Sequence, residues 1–305
     1  MTTRLSPSAM AAASPPLCLP PLPAVRAPRH RLPPGATDCH CHVFEDPSRY
    51  PWGGERSYTP QPADRHAYAQ LCRSLGLTRT VQVSASIYGA DNRLTLDLIA
   101  EWGQERARGV AGIAASTTQA DLHALHDGGM RGVRVSTLVK GYGGSDAMAG
   151  IAARIQPLGW HLQLHFERAA EIAALEASLM RLPVPLVFDH LGCVRGNEGV
   201  DHPGFQAMLR ILQRRDDCLV KVSSWYRRSE AGPGHEDMRP LVQTLVDVRP
   251  DRLVFGTNWP HPALFAPAQV PADADLVDQF CDWVPDVQVR QAILVDNPAQ
   301  LYGFA

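Results

Sequence analysis

The chain has 305 residues, with 29 Lys and Arg against 31 Asp and Glu, and 45% of its residues are hydrophobic against 20% charged. That is enough apolar material for one large domain or two small ones. No stretch reaches the roughly 18 uninterrupted apolar residues of a membrane span, and no basic block marks a nucleic-acid or membrane surface, so the composition points to chemistry on small molecules.

The first 36 residues hold nine of the 26 prolines and four arginines but no acidic residue. Proline fixes φ and removes a backbone donor, so residues 1–35 are expected to form a flexible or surface-draped arm. The segment has no apolar run of a secretory leader. From 36 to 305, short β-branched runs alternate with longer amphipathic stretches. The runs fall at 36–43, 80–84, 109–113, 132–136, 161–166, 186–191, 219–223 and 252–257. Helical spacing of apolar residues recurs at 92–106, 146–158, 169–182, 202–215 and 236–248. Strand starts recur about every 31 residues, the size of one βα unit, with no break resembling a linker. The expected fold class is α/β, a single (β/α)8 TIM barrel with a Pro-rich N-terminal arm. A doubly wound sheet competes, but the first run ends in His40-Cys41-His42 rather than a glycine-rich phosphate loop. Pro260, Pro262, Pro267 and Pro271 then mark a long loop over the barrel mouth, followed by closing helices.

Seven cysteines at 18, 39, 41, 72, 193, 218 and 281 form an odd set with no CxxC pair. Neither a disulfide framework nor a zinc knuckle fits, and a reducing, cytoplasmic compartment is expected.

In such a barrel the carboxyl ends of the strands carry the chemistry. His40 and His42 finish the first run, and alternation points both to one face, turning Cys39 and Cys41 toward the helix layer. His165 finishes the fifth run, His190 the sixth, and the eighth leads into Thr257-Asn258-Trp259-Pro260-His261. Two imidazoles on one strand face have few apolar uses, so these histidines are read as a site, and His40, His42, His165 and His190 would suit zinc or manganese. His30, His66, His123, His126, His202 and His235 fall in helices or loops, and His161 opens the fifth strand at the opposite end; solvated or capping roles suit them. Arg134 lies mid-strand in an apolar run, where an unpaired guanidinium is costly to bury, so it should face a polar interior or an anion. Arg227 and Arg228 follow the seventh strand, and together with Lys140 they favour an anionic ligand.

Three segments, Asp38-Cys39-His40-Cys41-His42-Val43-Phe44, Asp189-His190-Leu191-Gly192 and Phe255 to Pro262, resemble the amidohydrolase superfamily over about residues 35 to 303. The similarity is to the branch that contains 2-pyrone-4,6-dicarboxylate lactonase and 4-sulfomuconolactone hydrolase. It implies hydrolysis of a small anionic lactone, with His40 and His42 as the strand-1 pair and His190 polarising the carbonyl. Asn258 stands where the family has an aspartate that takes a proton from the attacking water, so the resemblance implies a protein impaired as written. It further implies that Tyr58, Ser86, Arg134, Lys140, His165 and Arg227 hold substrate, with His261 beside them, although Lys140 replaces an arginine and His165 a tyrosine. One divalent zinc or manganese ion and a metal-free mechanism are both compatible with the branch. Decarboxylation, lactone isomerisation and non-catalytic acid binding are the rival functions. No nucleic-acid or membrane partner is expected, and assembly into a homo-oligomer is left open.

Overall fold

The computed structural model describes residues 14–23, 26–53 and 56–304. Eight strands alternate with helices along the chain: β1 (Thr37–Cys41), β2 (Arg79–Val83), β3 (Ala107–Ala111), β4 (Met130–Ser136), β5 (His161–His165), β6 (Leu186–Phe188), β7 (Cys218–Val222) and β8 (Leu253–Phe255). Each pairs in parallel with the next, in the order β1 to β8. The ring is completed just beyond β8, where the Asn258 N–H donates to the His40 carbonyl and the His42 N–H to the Trp259 carbonyl, both at 2.7 Å. The fold is the expected (β/α)8 barrel.

The principal outer helices are α1 (Arg65–Leu75), α2 (Arg93–Trp102), α3 (Gln119–Asp127), α4 (Met148–Ile155), α5 (Ala170–Leu179), α6 (Pro203–Arg214), α7 (Arg239–Val248) and α8 (Asp273–Trp283). The mechanism of α6 is typical: Pro203 presets its first turn, the His202 imidazole caps the Gly204 N–H at 3.1 Å, and Phe205, Met208, Leu209, Ile211 and Leu212 are buried along one stripe. Full burial of side chains of this size contributes roughly 1.5–3 kcal/mol each. Helices α1 and α3 fall outside the five helical segments named from the apolar spacing, and both carry a start signal. Asp64 accepts from the Ala67 N–H at 2.8 Å, and Thr118 forms a capping box with Asp121.

The barrel interior is layered. Its lower part is apolar, filled by Val81, Val83, Val110, Val187, Leu219, Val254 and Cys39, with Tyr302 and Phe304 packed beneath. Arg108 clamps that stopper by donating to the carbonyls of Tyr302 at 3.0 Å and Gly303 at 2.8 Å. Strict alternation would have put Cys39 and Cys41 on the same outward face. The register of β1 against β2 shifts between Asp38 and Cys41, so Cys39 joins the interior while Cys41 packs in the outer layer, its Sγ 3.1 Å from Thr80 Oγ1. All seven cysteines are free and buried.

The described part of the N-terminal segment lies against the barrel. The Cys18 N–H donates to the Thr59 carbonyl at 2.8 Å and the Leu19 N–H to the Leu264 carbonyl at 2.9 Å. Arg26 and Arg29 pair with Asp275, Asp278 and Asp282 on α8. No helix among the described residues is long and apolar enough to cross a membrane.

Asp38 holds the two ends of the sheet together. Its buried carboxylate accepts from the backbone N–H groups of His40 and Thr257, both at 3.0 Å, from the Thr257 hydroxyl at 2.6 Å and from Tyr68 of α1 at 2.9 Å. Burial lifts its pKa, and these donors pull it back. Replacing Asp38 by Ala strands four donors, and the expected loss of stability is at least about 3 kcal/mol, read as a fall in the urea midpoint; Thr257→Val should cost roughly 1 kcal/mol.

Candidate active site

Above the apolar layer sits a buried charge cluster centred on Asp189, the residue after β6, which is 0% exposed. Arg134 on β4 donates through Nε to Asp189 Oδ2 at 2.8 Å, and Gln163 on β5 donates to the same oxygen at 3.0 Å. The other oxygen lies 3.2 Å from His40 Nδ1 and 3.6 Å from Lys221 Nζ on β7. Burial alone would raise the Asp189 pKa, but Arg134, His40 and Lys221 outweigh it and hold the carboxyl well below the usual carboxylate range. Burial pushes the Lys221 ammonium down, and Asp189 opposes this.

Over this cluster stand His42, His165, His190 and Asn258. Burial keeps the three imidazoles neutral, driving His42 down to about 3 and the other two well below their ordinary value. Their neighbours fix the tautomers. The His42 Nδ1–H donates to the Val83 carbonyl at 2.8 Å, leaving Nε2 as an acceptor. Ser136 Oγ accepts the N–H groups of Leu138 and Val139, so its own proton goes to His165 Nδ1 at 3.0 Å, and His165 Nε2 is left as a donor. His190 Nδ1 meets Ser223 Oγ at 2.8 Å. His190 and Asn258 adopt φ of 51° and 60°, left-handed backbone that costs non-glycine residues energy and is stored at sites where a side chain must be aimed. Gly256 is required below them, because a Cβ there would come within 2.6 Å of the His40 Cβ.

A cavity of about 210 Å3 opens onto this layer, lined in part by His42, Tyr58, Ser86, Arg134, His165, His190, Arg227, Arg228 and Asn258. Eight of the residues expected from the sequence thus meet there: His42, Tyr58, Ser86, Arg134, His165, His190, Arg227 and Asn258. Three do not. His40 lies beneath the floor in the charge cluster, fully buried. Lys140 is exposed on the loop after β4 and touches Ser57 through its backbone N–H at 3.3 Å. His261 sits behind Asn258 in a second chain of buried groups. There the Asn258 amide donates to the Tyr226 hydroxyl at 2.9 Å, that hydroxyl meets His261 Nδ1 at 2.8 Å, and His261 Nε2 lies 3.2 Å from Asp273 at the start of α8. Asp189, Gln163, Lys221, Tyr226 and Asp273 were not among the expected site residues. Lys221 breaks an apolar run as Arg134 does, and the same reasoning would have found it; Asp273 carries no local signal.

Metal donors were expected from His40, His42, His165 and His190. Among the described residues the ligand atoms that converge, within 4.8 Å of one another, are those of His40, Asp189 and His190. The donor types suit zinc, but the surrounding charges do not: both Asp189 oxygens already face Arg134, Gln163 and Lys221. A divalent ion therefore fits this set poorly.

A parallel barrel whose strand ends gather imidazoles and an aspartate at the foot of a small cavity defines the architecture of the amidohydrolase class. The chain belongs to this family: the Amidohydro_2 (Amidohydrolase) pattern matches residues 37–304. It is 38% identical over 286 residues to a 2-pyrone-4,6-dicarboxylate hydrolase of Comamonas testosteroni, covering 90% of this chain and 92% of that protein. To a 4-sulfomuconolactone hydrolase of Hydrogenophaga intermedia it is 35% identical over 292 residues, covering 94% and 95%. An apo crystal structure from Agrobacterium tumefaciens superposes with a TM-score of 0.84 at 27% identity, covering 92% of this chain and 98% of that one.

One titration is expected to show in stability. Burial lowers the His261 pKa, yet Tyr226 and Asp273 overcome it and raise the group from 6.5 to about 9. The folded state then binds this proton more tightly than the unfolded chain, so the contribution is full below pH 6.5 and is lost as pH rises through about 9. Melting temperature should fall between about pH 7 and about pH 9.5, and His261→Phe should flatten that part of the profile.

Proposed function

We propose that the chain is built to hydrolyse the ester bond of a small lactone bearing an acidic group, the class to which the substrates named for its two relatives belong. The observation that carries this reading is the pairing of polarising donors with free cations in one small cavity. Arg134 Nη2 and His190 Nε2 lie 3.5 Å apart. In the structure the Arg134 N–H is directed at Nε2, which accepts, and Nδ1 carries the ring proton toward Ser223 Oγ. When the Ser223 hydroxyl turns to donate to Nδ1, the ring proton resides on Nε2 and both groups present donors to a shared acceptor. A lactone carbonyl oxygen placed there would gain charge against a guanidinium and a neutral imidazole as water adds. On the same wall Arg227 donates to the Pro262 carbonyl and lies over the Tyr226 ring, Arg228 donates to the Glu167 carbonyl and meets Cys193, and neither pairs with a carboxylate among the described residues. Two guanidinium groups without a carboxylate partner support a substrate that carries an acidic substituent.

The attacking water needs a base, and here the site is incomplete. The Asn258 amide nitrogen is engaged by Tyr226, which leaves Oδ1 as an acceptor able to orient water. An amide cannot take the proton near neutral pH, so the chain as written should bind its lactone and turn it over slowly. Asn258→Asp should raise kcat by about 100-fold or more on a panel of carboxylated and sulfonated lactones. Equal turnover by both forms would show that no carboxylate is missing and would overturn this mechanism. In the aspartate form, Arg227→Met should raise KM by roughly tenfold or more while kcat changes little; a kcat effect with constant KM would remove Arg227 from substrate binding.

A further inference from the structure

We infer that the Lys221 ammonium is the resident cation of this active site, built into β7 so that the His40, Asp189 and His190 donors stay free of a divalent ion. The geometry of those three donors is inviting: all are buried, and their ligand atoms lie within 4.8 Å of one another. A metal-binding set this compact is normally defended by its own charge, and here that charge is already answered. Lys221 is completely buried, and its Nζ donates to the Cys39 carbonyl at 2.8 Å and to Gln163 Oε1 at 2.7 Å. The third side of the ammonium faces His40 Nδ1 at 3.4 Å and Asp189 Oδ1 at 3.6 Å, on two of the three residues an ion would use. An ammonium has three protons and no lone pair, so it competes for those atoms and offers none of its own.

The charge count reinforces the geometry. Asp189 supplies one negative charge, while Arg134 and Lys221 supply two positive ones, so the cluster carries a net +1 before any ion arrives. A divalent cation would bring this to +3 without bulk water to screen it. Gln163 completes the device by accepting a hydrogen bond from Lys221 through Oε1 and donating one to Asp189 through Nε2, at 2.7 and 3.0 Å. It thereby fixes the ammonium and the carboxylate at a set spacing. Side chains of β1, of β5 and of the residue after β6 thus serve one cation carried by β7.

The readout is ion content rather than turnover, so this inference and the lactonase reading can fail separately. The full chain would be stripped with chelator, exchanged into metal-free buffer and titrated with zinc chloride and manganese chloride by calorimetry, with elemental analysis after desalting. The unsubstituted protein should retain less than about 0.1 ion per chain, whereas Lys221→Gln and Lys221→Met should bind zinc at least about 100-fold more tightly and retain close to one. Adding His40→Asn to Lys221→Gln should abolish the gain and so locate the ion at this donor set. Stoichiometric, tight uptake by the unsubstituted protein would overturn the inference, as would folded Lys221 variants that gain no affinity. If neither variant folds, the titration of the unsubstituted chain decides alone: saturation at one ion per chain below about micromolar concentration refutes it, and no saturation supports it.

Discussion

One carboxylate balances the interior of this barrel. Asp189 is the anion against which Arg134 and Lys221 are both buried, and it is reached from β1, β4, β5 and β7 at once. A lysine and an arginine in the middle of parallel strands would otherwise be among the costliest residues to place there, with the loss of a buried partner worth about 3–5 kcal/mol. Because the cluster lies between the apolar lower layer and the cavity, it also forms the floor on which the upper histidines stand. The polarity of the cavity and the stability of the barrel therefore share one electrostatic solution.

That arrangement decides what the histidines can do. Burial keeps His42, His165 and His190 uncharged, so they act as directional donors and acceptors whose tautomers are set by Val83, Ser136 and Ser223. Positive charge at the cavity comes from arginines, which do not titrate in the working range. The one imidazole driven toward its charged form, His261, stands behind Asn258 and away from the cavity lining. The pattern of donors and acceptors around the cavity is thus insulated from pH.

Much of this was legible in the amino-acid order. Eight β-branched runs at βα spacing are enough to predict a barrel, and alternation along β1 with the ends of the fifth, sixth and eighth runs is enough to bring His42, His165, His190 and Asn258 together. The failures have local causes. A register shift in β1 reversed Cys39 and Cys41 relative to one another, which no period-two pattern can foresee. Lys140 has the right chemistry but sits on a loop whose course depends on tertiary contacts such as that with Ser57. The chain from Asn258 to Asp273 joins residues whose pairing is set by where α8 packs, and nothing in their immediate surroundings announces it.

The stopper beneath the barrel carries a consequence for assembly. Tyr302 and Phe304 seal a chamber whose opposite wall begins at β1, some 260 positions earlier in the chain, and Arg108 from β3 clamps them in place. Until those distant parts of the polypeptide meet, the valine layer stays open to water from below, and the Asp189 cluster lacks its low-dielectric cellar. The ionic centre should accordingly tighten late in the folding reaction, as the last act of a ring that closes from both ends.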